Sequence, residues 1–418
     1  MRILWKCNLP IRSIAEKEKL DVSPFGGWIE GLYKSVIQNQ EITLGICFPY
    51  QGKKIQGVIN GVEYFSFSDL QCKNKNIQIL QDEFETILQK FSPDIVHIFG
   101  TEYIHTYALV NAFKRPERTI LQIQGLVSVC AKHYMAGLPL GVQYGTYMRE
   151  LYYRKNLIAE KKQFEMLGAY EVKAICNVKH IIGRTDWDRA CTEQINRDAR
   201  YYQCNENLRD SFYDNEWKMA GVMPHMIFVS QCNYPLKGFH YVVEALAILK
   251  KKYKDVKLVT TGEDFCAKKS YKRSAYQKYL YKLIKKYDLF NNIEFVGQLN
   301  EQQMKDMYMK ANVFVSASSI ENSSNSIGEA MLLGAPVVSS YVGGISSLLE
   351  HGKEGYMYQV DAPYMMAHYI EKVFDDKEKI KEISKATRKR AKITHNREKN
   401  TAILMKIYQD VMKDKFNE

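Results

Sequence analysis

Short apolar segments alternate with longer amphipathic ones along almost the whole chain, and this alternation constrains the fold most strongly. Each apolar segment is rich in β-branched residues and is followed by a loop and a helical pattern. Such segments are typical of strands buried on both faces of a parallel sheet. The predicted strands are Arg2–Trp5, Ile42–Cys47, Asp94–Phe99, Thr119–Ile123, His180–Gly183, His225–Ser230, Lys257–Thr261, Asn292–Val296, Ala311–Ser316 and Pro336–Ser339.

These strands form two successive series, which predicts an α/β protein with two doubly wound, Rossmann-like domains. The 418 residues also exceed the roughly 250–300 residues over which a single hydrophobic core grows. A polar stretch between Tyr202 and Met223 marks the boundary. We predict an N-terminal domain over 1–215, a C-terminal domain over 216–385, and a charged helical segment over 386–418. This segment could cap either domain, including by crossing back to pack on the N-terminal one. The cleft between two such domains is the expected ligand site.

The net charge of +12 favours an anionic partner, which could be nucleic acid, an anionic membrane or a phosphorylated small molecule. A solvated, lysine-rich surface explains the charge equally well. The nine cysteines include no CxxC pair and no cluster at metal-binding spacing, which argues against a disulfide framework and a zinc site and favours the reducing cytosol. No apolar run reaches the roughly 20 residues that span a bilayer, so we expect any membrane contact to be peripheral.

The stretch over residues 313–344 is the most informative for function. A strand ending near Ser316 opens into a loop rich in serine and asparagine, and a helix is predicted from about Asn325 to Gly334. The first-turn amides at Ser326, Ile327 and Gly328 could bind an anion, next to the carboxylates Glu321 and Glu329. The same spacing from Ser326 to Glu329 also fits a capping box, which needs no ligand.

The order of motifs resembles that of glycosyltransferase family 4, whose members are retaining enzymes with the GT-B fold. Glu321 and Glu329 are similar to the paired glutamates of that family, followed here by GEAMLLGAPVVSSYVGG. The segments PLKGFHYVVEAL (235–246), LVTTGED (258–264) and IEFVGQLNEQQMKDMYMKANVFV (293–315) resemble its other landmarks in the right order. The resemblance is strong over about residues 225–360 and weaker over the first half.

The resemblance implies a role for each matching position. Lys237 would neutralise the donor diphosphate, Glu329 would bind the nucleotide ribose, and Glu321 would contact hydroxyl groups of the transferred sugar. The remaining donor-site positions implied by the resemblance are Gly26 and Gly27 in the loop after the first strand, Gly262, and the amides at Ser326, Ile327 and Gly328.

Two departures from the family pattern concern residues around the reacting groups. Gln231 stands where the family usually has an arginine, and a neutral amide lacks the charge and fork of a guanidinium. Arg184 is our candidate replacement, with Arg273 a weaker one. Gln124 stands where many members carry a histidine, so we expect it to position a sugar hydroxyl.

In the first domain, HIFGTEYIHT (97–106) resembles the strand-end motif near the acceptor, and it makes Glu102 and His105 candidate catalytic residues. Packing roles are equally plausible for both residues. His97 is expected to be a core histidine.

The implied activity is transfer of a sugar, with retention, from a nucleotide sugar such as a UDP-sugar to a glycan or lipid-linked acceptor in cell-surface polysaccharide synthesis. We expect no metal, no cofactor and no nucleic acid partner. The expected location is cytoplasmic, with peripheral contact to the inner face of the membrane.

Three other interpretations compete. A dinucleotide oxidoreductase is disfavoured because no GxGxxG follows the first strand. A GT-B sugar-nucleotide epimerase would bind the same donor without an acceptor. A non-catalytic scaffold would use the basic runs at 267–286 and 386–392 to bind nucleic acid or membrane. The segment Tyr144–Lys162 mixes aromatic and basic residues, which is typical of interfacial helices and equally of a charged helix packed on the N-terminal domain.

Overall fold

The computed structural model describes residues 1–22, 26–74, 76–153 and 155–414. The chain divides into two compact units. The first unit comprises Met1–Val129, Glu165–Arg209 and His395–Glu418, and the second comprises Cys130–Phe164 and Asp210–Thr394. The passage from Arg209 to Asp210 lies inside the polar stretch at which the sequence predicts the boundary.

The first unit is built on an eight-stranded sheet with the order β3-β4-β2-β1-β5-β6-β7-β8. All neighbouring strands are parallel except β3 and β4, which form an antiparallel hairpin. The strands are β1 (Arg2–Lys6), β2 (Thr43–Tyr50), β3 (Gln56–Ile59), β4 (Val62–Ser68), β5 (Ile95–Phe99), β6 (Thr119–Gln122), β7 (His180–Gly183) and β8 (Arg200–Gln203).

The second unit contains a six-stranded, fully parallel sheet with the order β11-β10-β9-β12-β13-β14. Its strands are β9 (Met226–Val229), β10 (Lys257–Thr260), β11 (Ile293–Phe295), β12 (Val313–Ser316), β13 (Val337–Ser340) and β14 (Tyr356–Tyr358). All ten predicted strands are present in the two sheets. The sequence patterns did not identify β3, β4, β8 and β14.

Helices connect the strands in both units. They are α1 (Arg12–Lys17), α2 (Gly27–Val36), α3 (Asp69–Asn74), α4 (Ile77–Phe91), α5 (Ile104–Phe113), α6 (Val127–His133), α7 (Leu140–Gln143), α8 (Met148–Tyr153), α9 (Leu157–Cys176), α10 (Asp186–Ile195), α11 (Phe239–Lys252), α12 (Ala275–Lys286), α13 (Glu301–Lys310), α14 (Asn325–Leu333), α15 (Ile345–Leu348), α16 (Pro363–Asp375), α17 (Lys377–Thr394) and α18 (Arg397–Lys413). No helix in the described ranges is both long and apolar enough to cross a membrane.

The core of the first unit covers both faces of its sheet. On one face, α2 and the carboxy-terminal helix α18 pack over β1 and β5, and the Trp5 indole donates a hydrogen bond to Tyr408 Oη at 2.8 Å. His97 Nδ1 lies 2.7 Å from the same hydroxyl group. Burial lowers the pKa of His97 to about 3, so this imidazole is a neutral core residue, as the sequence suggested.

Two segments group differently from the predicted domains. Residues 130–164, which the sequence placed in the N-terminal domain, belong to the second unit. The predicted helical segment over 386–418 contains parts of two helices, because α17 ends at Thr394 and α18 begins at Arg397. Asn396 caps α18 by accepting a hydrogen bond from the Lys399 amide at 2.8 Å. The first helix ends in the second unit and α18 packs in the first.

Candidate functional site

Lys237 and Glu321 meet where two parallel strands of the second unit end. Lys237 closes a 3₁₀ turn (Pro235–Lys237) after β9, and Glu321 lies in the loop after β12. Lys237 Nζ donates to Glu321 Oε2 at 2.7 Å, and Ser318 Oγ donates to the same oxygen at 3.1 Å. The structure therefore brings together two side chains that the sequence separates by 84 positions.

Gly238 allows this close approach of the two loops. Its φ of 65° lies in the left-handed region, and a Cβ atom there would come 1.9 Å from the Ala317 carbonyl oxygen. Any side chain would therefore push the turn with Lys237 away from the β12 loop. On the other side, the Gly344 amide donates to the Glu321 carbonyl at 3.0 Å and fixes the backbone of that glutamate.

The Lys237 ammonium group of this ion pair stays charged and remains partly accessible. Burial alone would lower the pKa of Lys237, but the adjacent Glu321 carboxylate outweighs it and raises that pKa above the ordinary value. The side chains are 25% and 19% exposed, so the ammonium group remains accessible. A permanent cation at the carboxyl edge of a parallel sheet suits a phosphate ligand.

Helix α14 presents its amino terminus at the same edge. The helix begins at Asn325, and its N-cap residue Ser324 makes no side-chain capping bond. Within the described chain, the amides of Ser326 and Ile327 donate to no protein acceptor, as expected for a first turn that can bind an anion. The Gly328 amide donates to the Ser324 carbonyl at 3.0 Å, so the prediction of an open amide at Gly328 was wrong.

The capping-box interpretation of Ser326 and Glu329 is also wrong. Ser324, not Ser326, is the N-cap residue, which places Ser326 in the first turn and Glu329 in the next. A capping box requires the serine at the cap itself. The Glu329 side chain is buried at 5% exposure.

Gly262 and Gln231 lie at the ends of the neighbouring strands β10 and β9. Gly262 has a φ of 108° and donates its amide to the Gly297 carbonyl at 2.9 Å. A Cβ atom there would lie 2.6 Å from Asn233 Oδ1, so only glycine fits. The Oε1 atom of Gln231 is buried and has no hydrogen-bond partner among the described residues. A buried acceptor without a donor is costly, so a donor group on a bound ligand would be stabilised by this oxygen.

The two arginines considered as replacements for the missing guanidinium have other partners. Arg184 is buried in the first unit, where Nη1 donates to Glu206 Oε2 at 2.6 Å and Nη2 to the Gln124 carbonyl at 3.1 Å. Arg273 donates to the carbonyls of Phe265 and Cys266, both at 2.8 Å. The first arginine thus belongs to a buried ion pair, and the second holds its own loop.

In the first unit, Glu102 lies just beyond the carboxyl end of β5. Its Oε1 accepts the Gly125 amide at 3.1 Å, whereas its Oε2 is buried without a partner among the described residues. Burial raises the pKa of Glu102 to about 7, with a smaller contribution from Glu171 and an opposing one from Lys6. The carboxyl group therefore changes protonation near neutral pH.

Lys6, at the carboxyl end of β1, is a candidate residue that the sequence analysis missed. It is fully buried and donates to Asn8 Oδ1 at 2.8 Å and Thr106 Oγ1 at 3.0 Å. Burial lowers its pKa to about 8, although the Glu102 charge opposes this shift. Asn8 and Glu102 both border Gly100, where an added Cβ would lie 2.7 Å from Asn8 Nδ2 and 2.3 Å from Glu102 Oε2.

Gln124, which is expected to position a sugar hydroxyl group, and the candidate catalytic residue His105 have different surroundings. Gln124 donates its side-chain amide to Glu206, the carboxylate paired with Arg184, so it belongs to that buried network. The His105 ring stacks on Tyr103 at 5.0 Å and meets Phe67 edge-on at 5.2 Å. Burial lowers the pKa of His105 well below its ordinary value, and this environment fits packing better than acid–base chemistry.

Glu171 on α9 holds the loop that carries Gln124 and Gly125. This buried carboxylate accepts hydrogen bonds from the Val127 and Ser128 amides at 3.0 and 2.9 Å and from the Thr101 hydroxyl group at 2.7 Å. It thereby satisfies the first turn of α6. No sequence pattern indicates this role, because Glu171 lies in a helix with many charged residues.

Gly26 and Gly27 begin helix α2, and the preceding residues 23–25 of the predicted loop lie outside the described residues. Gly26 is the N-cap residue with a left-handed φ of 80°. A Cβ atom on Gly27 would lie 2.7 Å from the side chain of Arg209. Helix α2 of the first unit therefore starts at two adjacent glycines.

Comparisons with known proteins bear on this geometry. Residues 216–390 match the model of the family described as Glycosyl transferases group 1. The second unit carries a glycosyl transferases group 1 domain. The group 1 domain contains Lys237, Gly262, Glu321 and helix α14. The chain is also 27% identical to an uncharacterized glycosyltransferase of Methanocaldococcus jannaschii over 151 residues, which is 36% of this chain and only about a third (36%) of that relative.

Two solved structures show the fold of the group 1 domain together with the rest of the chain. Sucrose-phosphate synthase from Thermosynechococcus elongatus superposes with a TM-score of 0.73 at 15% identity, covering 99% of this chain and 100% of that one. HepE of Anabaena, in complex with UDP and glucose, gives a TM-score of 0.68 at 15% identity and covers 98% and 100%. The predicted GT-B fold is thus confirmed.

Proposed function

We propose that the protein is a glycosyltransferase that transfers a sugar from a nucleoside-diphosphate sugar to a glycan or lipid-linked acceptor. The observation that carries this proposal is the Lys237–Glu321 ion pair, which lies at the same sheet edge as the open first turn of α14. The group 1 domain supports it independently. The cation and the open helix amides suit the phosphate groups of a nucleotide sugar, and the carboxylate suits its sugar hydroxyl groups.

Each donor group has an assigned partner. Lys237 and the amides of Ser326 and Ile327 bind the diphosphate, since a cation and a helix start both favour phosphate oxygens. Glu321 accepts hydrogen bonds from hydroxyl groups of the transferred sugar, and Glu329 from the nucleotide ribose. UDP is the proposed nucleotide, because HepE, which shares the fold, was solved with UDP and glucose.

The first unit is assigned to the acceptor. The side chain of Glu102, held at one oxygen by the Gly125 amide, orients the acceptor hydroxyl group through its second oxygen. Transfer is proposed to proceed with retention, and the leaving diphosphate takes the acceptor proton. Catalysis then depends on positioning and on Lys237 stabilising the charge of the leaving group, without a metal ion. The proposed setting is cell-surface polysaccharide synthesis at the cytoplasmic face of a membrane.

Thermal shift with nucleotide sugars tests the donor assignment. A UDP-sugar should raise the melting temperature of the wild-type protein and of the surface control Lys251→Ala, but not that of Lys237→Ala. Equal stabilisation of all three proteins would remove Lys237 from the donor site.

Acceptor dependence separates this activity from its closest rival. A transferase releases UDP only when an acceptor is added, whereas an epimerase converts the donor sugar without one. Transfer that survives EDTA would support the metal-independent mechanism. Product anomers with the donor configuration would support retention, and inverted products would refute it.

A further inference from the structure

Six large apolar side chains are exposed together on helices α7 and α8 of the second unit and on the loop between them. Their exposed fractions lie between 60% and 81%, and the residues are Leu140, Tyr144, Met148, Leu151, Tyr152 and Tyr153. Elsewhere in the described chain, exposed large apolar residues lie apart from one another in sequence. A concentration of this size on a protein surface is typical of an interaction site.

The segment is fastened to the second unit, so its exposed face has a defined orientation. Glu150 on α8 is buried and accepts the Ala275 amide, at the start of α12, at 2.7 Å and the Tyr147 amide at 3.2 Å. Lys278 Nζ lies 3.6 Å from the centre of the Tyr147 ring. A carboxylate at a helix start and a cation over a ring both stabilise this attachment.

The attachment also joins two segments that are far apart in the chain. Helix α8 packs against the 3₁₀ turn Ser270–Lys272, which carries Tyr271 at 58% exposure and belongs to the basic run at 267–286. Lys269 and Lys272 are exposed beside Tyr271, and Lys155 is exposed just after α8. In the part of the chain that the structure describes, none of these three lysines is in salt-bridge range of a carboxylate.

We propose that this aromatic–basic surface, formed by α7, α8 and the turn Ser270–Lys272, docks the protein on an anionic lipid bilayer. Tyrosine side chains favour the boundary between hydrocarbon and water, and unpaired lysines favour anionic headgroups.

The aliphatic side chains Leu140, Met148 and Leu151 decide between the possible partners. Proteins bind single-stranded nucleic acid with basic grooves and with aromatic rings on which bases stack, and exposed aliphatic side chains do not contribute to either. Protein interfaces are depleted of lysine. A bilayer accommodates aliphatic, aromatic and lysine side chains on one face.

The position of this surface links it to the donor loops, and this link rests on the proposed function. The loop with Tyr271 leaves β10 at its carboxyl end, and the loops with Lys237 and Glu321 leave β9 and β12 at theirs. Carboxyl ends of parallel strands lie at one edge of the sheet. A docked second unit would therefore hold its donor loops on the side from which the basic loop emerges, which suits a lipid-linked acceptor.

Vesicle flotation of the full chain tests the surface directly. Wild-type protein should float with vesicles of phosphatidylglycerol and phosphatidylcholine at low salt, and not with phosphatidylcholine alone. The variant L151S/Y152S/Y153S and the variant K269A/K272A should each bind roughly tenfold more weakly. The matched controls are V58S/Y364S for exposed apolar residues and K251A/K254A for exposed lysines, and both should float like wild type.

Three results would overturn the proposal: no flotation of wild type, equal flotation of all variants, or loss of oligonucleotide binding instead of vesicle binding in the two surface variants. All these proteins should keep their thermal shift with UDP-sugar. A failure of flotation with an intact thermal shift therefore contradicts the membrane surface alone, whereas loss of the shift in wild type contradicts the donor site.

Discussion

The carboxyl edges of the two sheets use charge in different ways. In the second unit, Lys237 and Glu321 form a partly accessible ion pair, and the Glu321 carboxylate raises the pKa of Lys237 so that the lysine stays charged. In the first unit, Lys6 and the Oε2 atom of Glu102 are buried, and the pKa values of the two side chains move to about 8 and about 7. The arrangement in the second unit suits binding of a charged donor that does not depend on pH. The arrangement in the first unit places two groups within reach of a protonation change near neutral pH, where acceptor chemistry would respond to pH.

Replacing Lys237 should give the largest effect. In Lys237→Ala, Glu321 loses its cation and the diphosphate loses its counter-charge, so UDP-sugar affinity should fall about a hundred-fold or more. Isothermal titration would measure this loss. Lys251→Ala, an exposed lysine on the same unit, should bind like wild type. Undiminished affinity in Lys237→Ala would mean that the edge of the second unit is not the donor site.

Glu102→Gln should affect transfer without affecting donor binding. Losing a charged hydrogen bond to the acceptor hydroxyl group should lower kcat/KM for the acceptor roughly thirty-fold. In wild type, only the ionised carboxylate gives the full interaction, so the rate should fall as pH drops below about 7. This fall in rate at acidic pH, the acidic limb of the pH–rate profile, should disappear in Glu102→Gln. If the acidic limb persists in this variant, another group is responsible for the titration.

The effect of Glu102 on folding has the opposite sign. Its pKa is about 4.5 in an unfolded chain and about 7 in the folded protein, so the folded state holds the proton more tightly. The stabilising contribution is complete below pH 4.5 and is lost as pH rises through about 7. The activity and the stability that depend on this carboxyl group therefore change in opposite directions.

Lys6→Met should change the pH dependence of the first unit's edge without changing donor binding at the second unit's edge. The Lys6 cation lowers the pKa of Glu102, so its removal should shift the activity limb to higher pH by about one unit. Rate profiles between acidic and mildly alkaline pH would measure the shift. UDP-sugar affinity should not change. The exposed control Lys53→Met should leave the limb in place, and a limb that stays at about 7 in Lys6→Met would separate the two groups functionally.

The sequence predicts the buried strands well because they are uninterrupted apolar segments. The strands it missed have weaker patterns: β3 and β8 are largely exposed, and β14 has three residues. The β3–β4 hairpin did have a signal, since Asn60 and Gly61 both adopt the positive φ that an Asn-Gly turn favours. Neither strand of the hairpin is an uninterrupted apolar segment, because polar residues or glycine interrupt both QGVI and VEYFSFS.

The candidate sites show a similar limit. Lys237 and Glu321 could be assigned to one donor site because the resembling motifs lie in the family's order, although their ion pair was not predicted. Lys6 could not be identified, because a lysine after a strand is usually a surface residue and burial is a property of the packed fold. The pairing of Arg184 with Glu206 likewise depends on where an irregular segment lies, which neither spacing nor periodicity encodes.

Ser318→Ala should produce the smallest effect and tests how far the donor edge depends on fixed geometry. Ser318 is buried and donates to the same oxygen of Glu321 that contacts Lys237. Removing one such hydrogen bond should weaken UDP-sugar binding by about three- to ten-fold at most. The loss should be equal at pH 6 and pH 8, since Lys237 remains charged throughout that range. The exposed control Ser346→Ala should not change the affinity. A loss in Ser318→Ala that grows with pH would show that the donor edge titrates too, and the contrast between the two edges would fail.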